Sequence, residues 1–156
     1  KVYLENTAST MGVFGGHGYG TTPCYHFVGQ KVWARQFNPE RSTDNCLTEG
    51  SDIWIFGFKT EGPSGKGFTF RDGSRAEAIC GDATIATTDG TPCIENTESD
   101  VFAFMRTGGC GPCHTFEVAV KETQGGLTRC LDALDMPPYQ EEYYFIPGYI
   151  GVRKPL

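Results

Sequence analysis

No stretch of this 156-residue chain approaches the roughly 18 consecutive apolar residues that a membrane-spanning helix needs, so no helical span is expected. There is no Asn-x-Ser/Thr triplet, which removes N-glycosylation. Histidine is scarce: a hydrolase using imidazole as general base would have to draw on His17, His26 or His114. Cationic residues are in deficit, with 13 Lys and Arg against 19 Asp and Glu and a formal charge of −6, which disfavours nucleic acid and anionic membrane as partners. The deficit belongs to the second half, since residues 1–75 hold eight basic and seven acidic side chains while residues 76–156 hold five and twelve. An apolar leader is missing too. Lys1, Glu5, Asn6 and Thr7 interrupt the start, so the chain reads as a mature form after processing.

Glycine and cysteine are plentiful. Seven cysteines, Cys24, Cys46, Cys80, Cys93, Cys110, Cys113 and Cys130, point to an oxidising compartment and about three disulfides with one thiol left over. Only 38% of residues are hydrophobic and 21 are glycine, so backbone entropy opposes folding strongly and cross-links would help. Pro-Cys occurs three times, at Pro23-Cys24, Pro92-Cys93 and Pro112-Cys113, and reads as extended segments entering a disulfide. The length suits one domain, with a glycine-rich arm over residues 1–23 and a β core over 24–156.

Period-two alternation between Gly, Pro and Asp turns predicts strands at Tyr25–Ala34, Asp52–Lys59, Gly67–Arg71, Arg75–Cys80, Ala83–Thr88, Val101–Arg106, Thr115–Lys121 and Tyr143–Ile146. The expected fold is an all-β, disulfide-stapled antiparallel barrel or sandwich with at most one or two short helices, near Ser42–Asp44 and Thr128–Leu134. Asp72-Gly73 is read as a hairpin turn. In Ile53-Trp54-Ile55-Phe56-Gly57-Phe58 both faces are apolar, which predicts a central strand covered on both sides. Most Phe and both Trp are assigned to the core. No fixed-period repeat is evident.

The motifs that suggest chemistry lack their contexts. Cys110-Gly111-Pro112-Cys113-His114 has a thioredoxin-like spacing, but glycines precede it and a strand pattern follows, where a redox centre needs a helix N-terminus. Haem attachment lacks an axial ligand and pocket, and zinc lacks a second ligand pair. Gly62–Gly67 has Thr60 where a phosphate loop needs glycine and Gly67 where it needs Ser or Thr. Gly16-His17-Gly18-Tyr19-Gly20 has the wrong spacing for a dinucleotide fingerprint. A ribonuclease-like site pairing His26 or His114 with Glu77 or Glu117 and with Arg71 or Arg75 can be assembled only on paper. No catalytic residue, metal ligand or cofactor is therefore assigned. Tyr139, Tyr143 and Tyr144, set among acids and prolines, are the candidate binding residues, because tyrosine offers apolar area with a hydrogen-bonding tip.

A small, acidic, cysteine-rich, β-rich chain without a catalytic constellation resembles the processed effector proteins of plant-pathogenic fungi, including the necrosis-inducing host-selective toxins. The resemblance implies a secreted, monomeric, non-enzymatic protein in the host apoplast, binding an extracellular host protein or receptor to trigger cell death or modulate defence. A small secreted hydrolase and a cell-wall carbohydrate-binding protein are the alternatives. The first requires His and carboxylate in one pocket, the second exposed coplanar aromatics.

Overall fold

In the computed structural model, which describes residues 1–5, 23–40, 42–62, 65–85, 90–108, 117–136, 138–140 and 143–153, the short polar links between strands set the architecture. Gly29, Gly50, Asp72, Glu98 and Gly125 each adopt a positive φ directly after a strand. The first four turn the chain from one sheet to the other, whereas Gly125 returns it in an antiparallel hairpin between Val118–Gln124 and Leu127–Asp132.

Among the described residues the strands are β1 (Val2–Glu5), β2 (Tyr25–Val28), β3 (Lys31–Phe37), β4 (Asp44–Glu49), β5 (Asp52–Gly62), β6 (Lys66–Arg71), β7 (Arg75–Ile85), β8 (Ile94–Thr97), β9 (Asp100–Gly108), β10 (Val118–Gln124), β11 (Leu127–Asp132), β12 (Pro138–Gln140) and β13 (Tyr143–Gly151). They form a parallel two-sheet β-solenoid. One sheet has the order β1-β3-β5-β7-β9-β13-β12 and the other β11-β10-β8-β6-β4-β2. Pairing is parallel from β1 to β9 and from β2 to β10. Antiparallel β13 closes the first sheet and antiparallel β11 the second, so the parallel stack ends there.

The architecture corrects the expected antiparallel barrel or sandwich. Asp72-Gly73 is a turn, but β6 before it pairs with β4 and β8 while β7 after it pairs with β5 and β9. Alternation and turn residues locate strands without stating which strand lies beside which. The helix expected near Ser42–Asp44 is replaced by β4, and that over Thr128–Leu134 by β11 and a 3-10 turn at Ala133–Asp135. The first strand comes from within the glycine-rich stretch.

The disulfide framework is also corrected. Cys46, Cys80, Cys93 and Cys130 are free thiols, Cys24 Sγ donates to Glu40 O at 2.8 Å, and Cys110 and Cys113 lie outside the described residues. Cys46 and Cys93 are fully buried and serve as small apolar core residues; burial pushes the Cys46 thiol far up and the Cys93 thiol to about 12. Cys80 and Cys130 are exposed on separate sheets. Cohesion comes instead from contact between successive rungs, as in other stacked-repeat folds.

Three buried serines join those rungs. Ser51 Oγ accepts from Gln30 N at 3.0 Å, Ser74 Oγ from Ser51 N at 3.2 Å, and Ser99 Oγ from Ser74 N at 3.1 Å, with sequence spacings of 21, 23 and 25 residues. That drift conceals the repeat from a fixed-period reading. Ser74 Oγ supplies the acceptor for the buried Ser51 amide, which the turn would otherwise leave unpaired.

The core is built from in-register rows of both sheets. In the first sheet the inward in-register rows are Val32, Ile53, Ala76 and Val101, and Ala34, Ile55, Ala78 and Ala103. The second sheet sets Cys46, Phe68 and Ile94 in one row and Phe70 beside them, all buried. Phe37, Phe58 and Met105 add large buried side chains from the first sheet, and Phe58 meets Phe68 edge-on across the interior at 4.9 Å. Burying Phe68 or Phe70 contributes on the order of 1.5–3 kcal/mol each. At the capped end Tyr149 ties the sheets together: its hydroxyl donates to Glu122 Oε1 at 3.1 Å and accepts from Asn96 Nδ2 at 2.8 Å.

Candidate binding face of the first sheet

In-register parallel pairing repeats each side-chain position on the next rung about 4.8 Å away, so the outer surface of the first sheet is a set of ladders. The outermost is Lys31, Asp52, Arg75 and Asp100. Equal charges at that spacing would repel, and the signs alternate. Lys31 Nζ lies 3.7 Å from Asp52 Oδ2, and Arg75 holds Asp52 through Nε and Nη2 at 2.7 and 2.8 Å. Arg153 continues the row, with its backbone N donating to Asp100 at 2.7 Å. The Arg75 hydrogen bonds hold the Asp52 carboxyl below its ordinary range.

Two apolar ladders follow. Tyr3, Trp33 and Trp54 stack at centroid spacings of 5.1 Å and interplanar angles of 16° and 13°. The same row continues through Glu77 to Phe102 and Ile150. The next row holds Arg35, Phe56, Ile79 and Phe104. Beyond it Asp82 and Arg106 are paired by Nε at 3.2 Å and by Nη2, closing the apolar stripe with a second ionic border.

The stripe is open to solvent: Phe56 is 55% and Phe104 42% exposed. This corrects the assignment of both Trp to the core and the reading of β5 as covered on both sides, while Phe27, Phe37, Phe58, Phe68 and Phe70 are buried in the core as expected. Ile53, Ile55 and Phe58 point inward; Trp54 and Phe56 point out. The pattern of β5 is apolar on both faces whether the outer cover is the same chain or something else. A reading of sequence could have found the face by aligning Trp33 with Trp54 at the 21-residue spacing.

The strands bend beside this face. Gln36, Gly57 and Cys80 have φ of 50°, 73° and 60° on successive rungs, and a 450 Å³ hollow lies along that bend. Hollows of 340 and 380 Å³ lie within the stripe, and Trp54 and Glu77 line both.

The second sheet presents a different outer surface. Lys66 bonds Glu95 and lies 3.9 Å from Asp44, and Lys121 lies 3.5 Å from Glu95. His26 pairs with Glu49, which also accepts Arg71 Nε at 2.8 Å, and these hydrogen bonds, that of His26 foremost, lower the Glu49 carboxyl. Of the grouping considered for a ribonuclease-like site, the fold brings His26 and Arg71 together, around Glu49. Glu77 and Arg75 lie on the opposite sheet. His26 is exposed and lines none of the hollows described above.

His17 and His114 lie outside the described residues. The backbones of Tyr139, Tyr143 and Tyr144 run in β12 and β13, at the closing end of the first sheet; their side chains lie outside the described residues. Among the described residues no three His, Cys, Asp or Glu side chains group as metal ligands, and no helix is long and apolar enough to cross a membrane. No protein-family model, no curated protein and no solved structure matches the chain.

Proposed function

We propose that the chain is a non-catalytic binding protein that holds a protein partner on the outer face of its first sheet. The observation that carries this reading is the apolar stripe of Trp33, Trp54, Phe56, Phe102 and Phe104 between two ion-paired borders. An apolar centre with a polar rim and few charges at its core is the anatomy of a protein–protein interface. The charged side chains at the border are already paired, so the partner covers the stripe without having to neutralise them.

Two observations support a protein partner over the rivals. The His26–Glu49 pair stands on an exposed ladder, where nothing among the described residues encloses a substrate. Trp33 has both ring faces covered, by Tyr3 and Trp54, and the rings stack along the ladder, whereas a sugar binder sets coplanar ring faces side by side toward solvent. Release into a host apoplast and action as an effector is the narrower form of this proposal, which the resemblance supplies.

Panning a random-peptide display library against the immobilised protein, then mapping the selected peptides by amide hydrogen exchange, tests the face. Protection centred on β5, β7 and β9, lost in the Phe56→Asp/Phe104→Asp variant, is expected. Peptides that protect only β4, β6 and β8, and bind the variant normally, would contradict it. Infiltration of both proteins into a panel of plant genotypes tests the effector role: cell death with the wild type and none with the folded variant is expected.

A further inference from the structure

The aromatic row has one break. Trp54, Glu77 and Phe102 are direct partners on three successive rungs, so a carboxylate stands where the ladder would place a third ring. All three line one 340 Å³ hollow. Trp33 covers one face of Trp54, leaving the other toward the Glu77 rung. Glu77 is exposed and makes no hydrogen bond or ion pair among the described residues. The other charges of the hollow are engaged: Arg75 by Asp52, and Asp100 by Arg153. What remains is one uncompensated negative charge between two aromatic walls.

We propose that Trp54, Glu77 and Phe102 form a receptor for an organic ammonium head group, presented by a lysine side chain of the partner. This rests on the reading of the first sheet's outer face as the binding surface. Two rungs separate the walls by about 9.6 Å, so a cation at the Glu77 rung sits about 4.8 Å from each ring along the ladder. That is inside the roughly 6 Å over which a ring face attracts a cation. The carboxylate supplies the counter-charge, and the neighbouring Ile150 gives the aliphatic stem an apolar track. A neutral group of the same size would gain only the apolar contact.

The test uses the intact protein and a pentapeptide of four glycines around a central lysine, with the lysine unmodified, trimethylated or replaced by norleucine. Binding is followed by amide and indole chemical shifts. Free choline and its uncharged analogue 3,3-dimethylbutan-1-ol form a second pair. Shifts centred on the Trp54 indole are expected with both lysine peptides and weaker than about a third as much binding with norleucine. Glu77→Gln and Phe102→Leu, which keep size and apolarity, should each weaken the lysine peptides roughly three- to tenfold. Choline binding as tight as the trimethyl-lysine peptide would overturn the assignment to a partner's side chain, and equal binding of the norleucine peptide would overturn the receptor altogether. Loss of peptide binding in Phe56→Asp/Phe104→Asp with no effect of Glu77→Gln or Phe102→Leu would overturn the receptor and leave the binding face standing. Binding unchanged in all variants would overturn both.

Discussion

A single methyl group at Gly81 should destabilise the fold through one identifiable contact. Gly81 follows the left-handed Cys80 at the bulge where the β7–β9 register shifts. A Cβ placed there would lie 2.1 Å from Cε1 and Cζ of Phe58. That ring cannot retreat freely: it is 6% exposed and packs edge-on against Phe68 at 4.9 Å and 80°. Overpacking of this kind costs about 1–3 kcal/mol, and in a domain of this length each kcal/mol lowers Tm by about 2–4 °C. Gly81→Ala should therefore melt about 2–12 °C below wild type, followed by far-UV circular dichroism and by urea unfolding. Phe58→Leu should relieve the clash, so Gly81→Ala should cost less in that background than in wild type. An equal cost in both backgrounds would refute the steric argument and shift the cause to the backbone.

Ser74→Ala leaves the buried Ser51 amide without its acceptor and should cost about 1–3 kcal/mol by urea unfolding; a neutral result would remove the serine ladder from the account of cohesion. In native protein, iodoacetamide should label Cys80 and Cys130 quickly and Cys46 and Cys93 only after unfolding, read by peptide mass; Cys46 or Cys93 labelled as fast as Cys80 would contradict their burial. The Arg75–Asp52 pair lowers the folded carboxyl below its ordinary 3.8, so its contribution is complete above that value and is lost as pH falls through the depressed one. Arg75→Met should accordingly weaken the acid dependence of stability below about pH 4, and an unchanged acid limb would show that the pair adds nothing.

Strand positions were legible in the sequence because alternation and glycine turns mark them directly. The segments Tyr25–Ala34, Asp52–Lys59, Gly67–Arg71, Arg75–Cys80 and Val101–Arg106 all fall on strands, though Gly29-Gln30 divides the first between two sheets. Strand pairing was not legible. Phe68-Thr69-Phe70 and the alternating Ala76 and Ala78 fit a hairpin as well as they fit two sheets, because a left-handed turn residue serves both. The repeat escaped notice because the spacing of its turn serines drifts from 21 to 23 to 25 residues, so no fixed period appears. The seven cysteines misled for a physical reason: a small, apolar thiol suits the tight interior of Cys46 and Cys93, so abundance alone does not imply pairing. The candidate face was hidden by the same composition that built it. An aromatic ladder turned outward has the local pattern of a buried strand, and only the register of Trp33 with Trp54 separates them.

Everything proposed for the outer face depends on parallel, in-register rungs. Nuclear Overhauser contacts in uniformly labelled protein test this most directly. Interstrand contacts between Ile53 and Ala76 and between Ala76 and Val101 are expected, together with indole contacts between Trp33 and Trp54. Antiparallel contacts between β6 and β7 across Asp72-Gly73, in place of these, would contradict it.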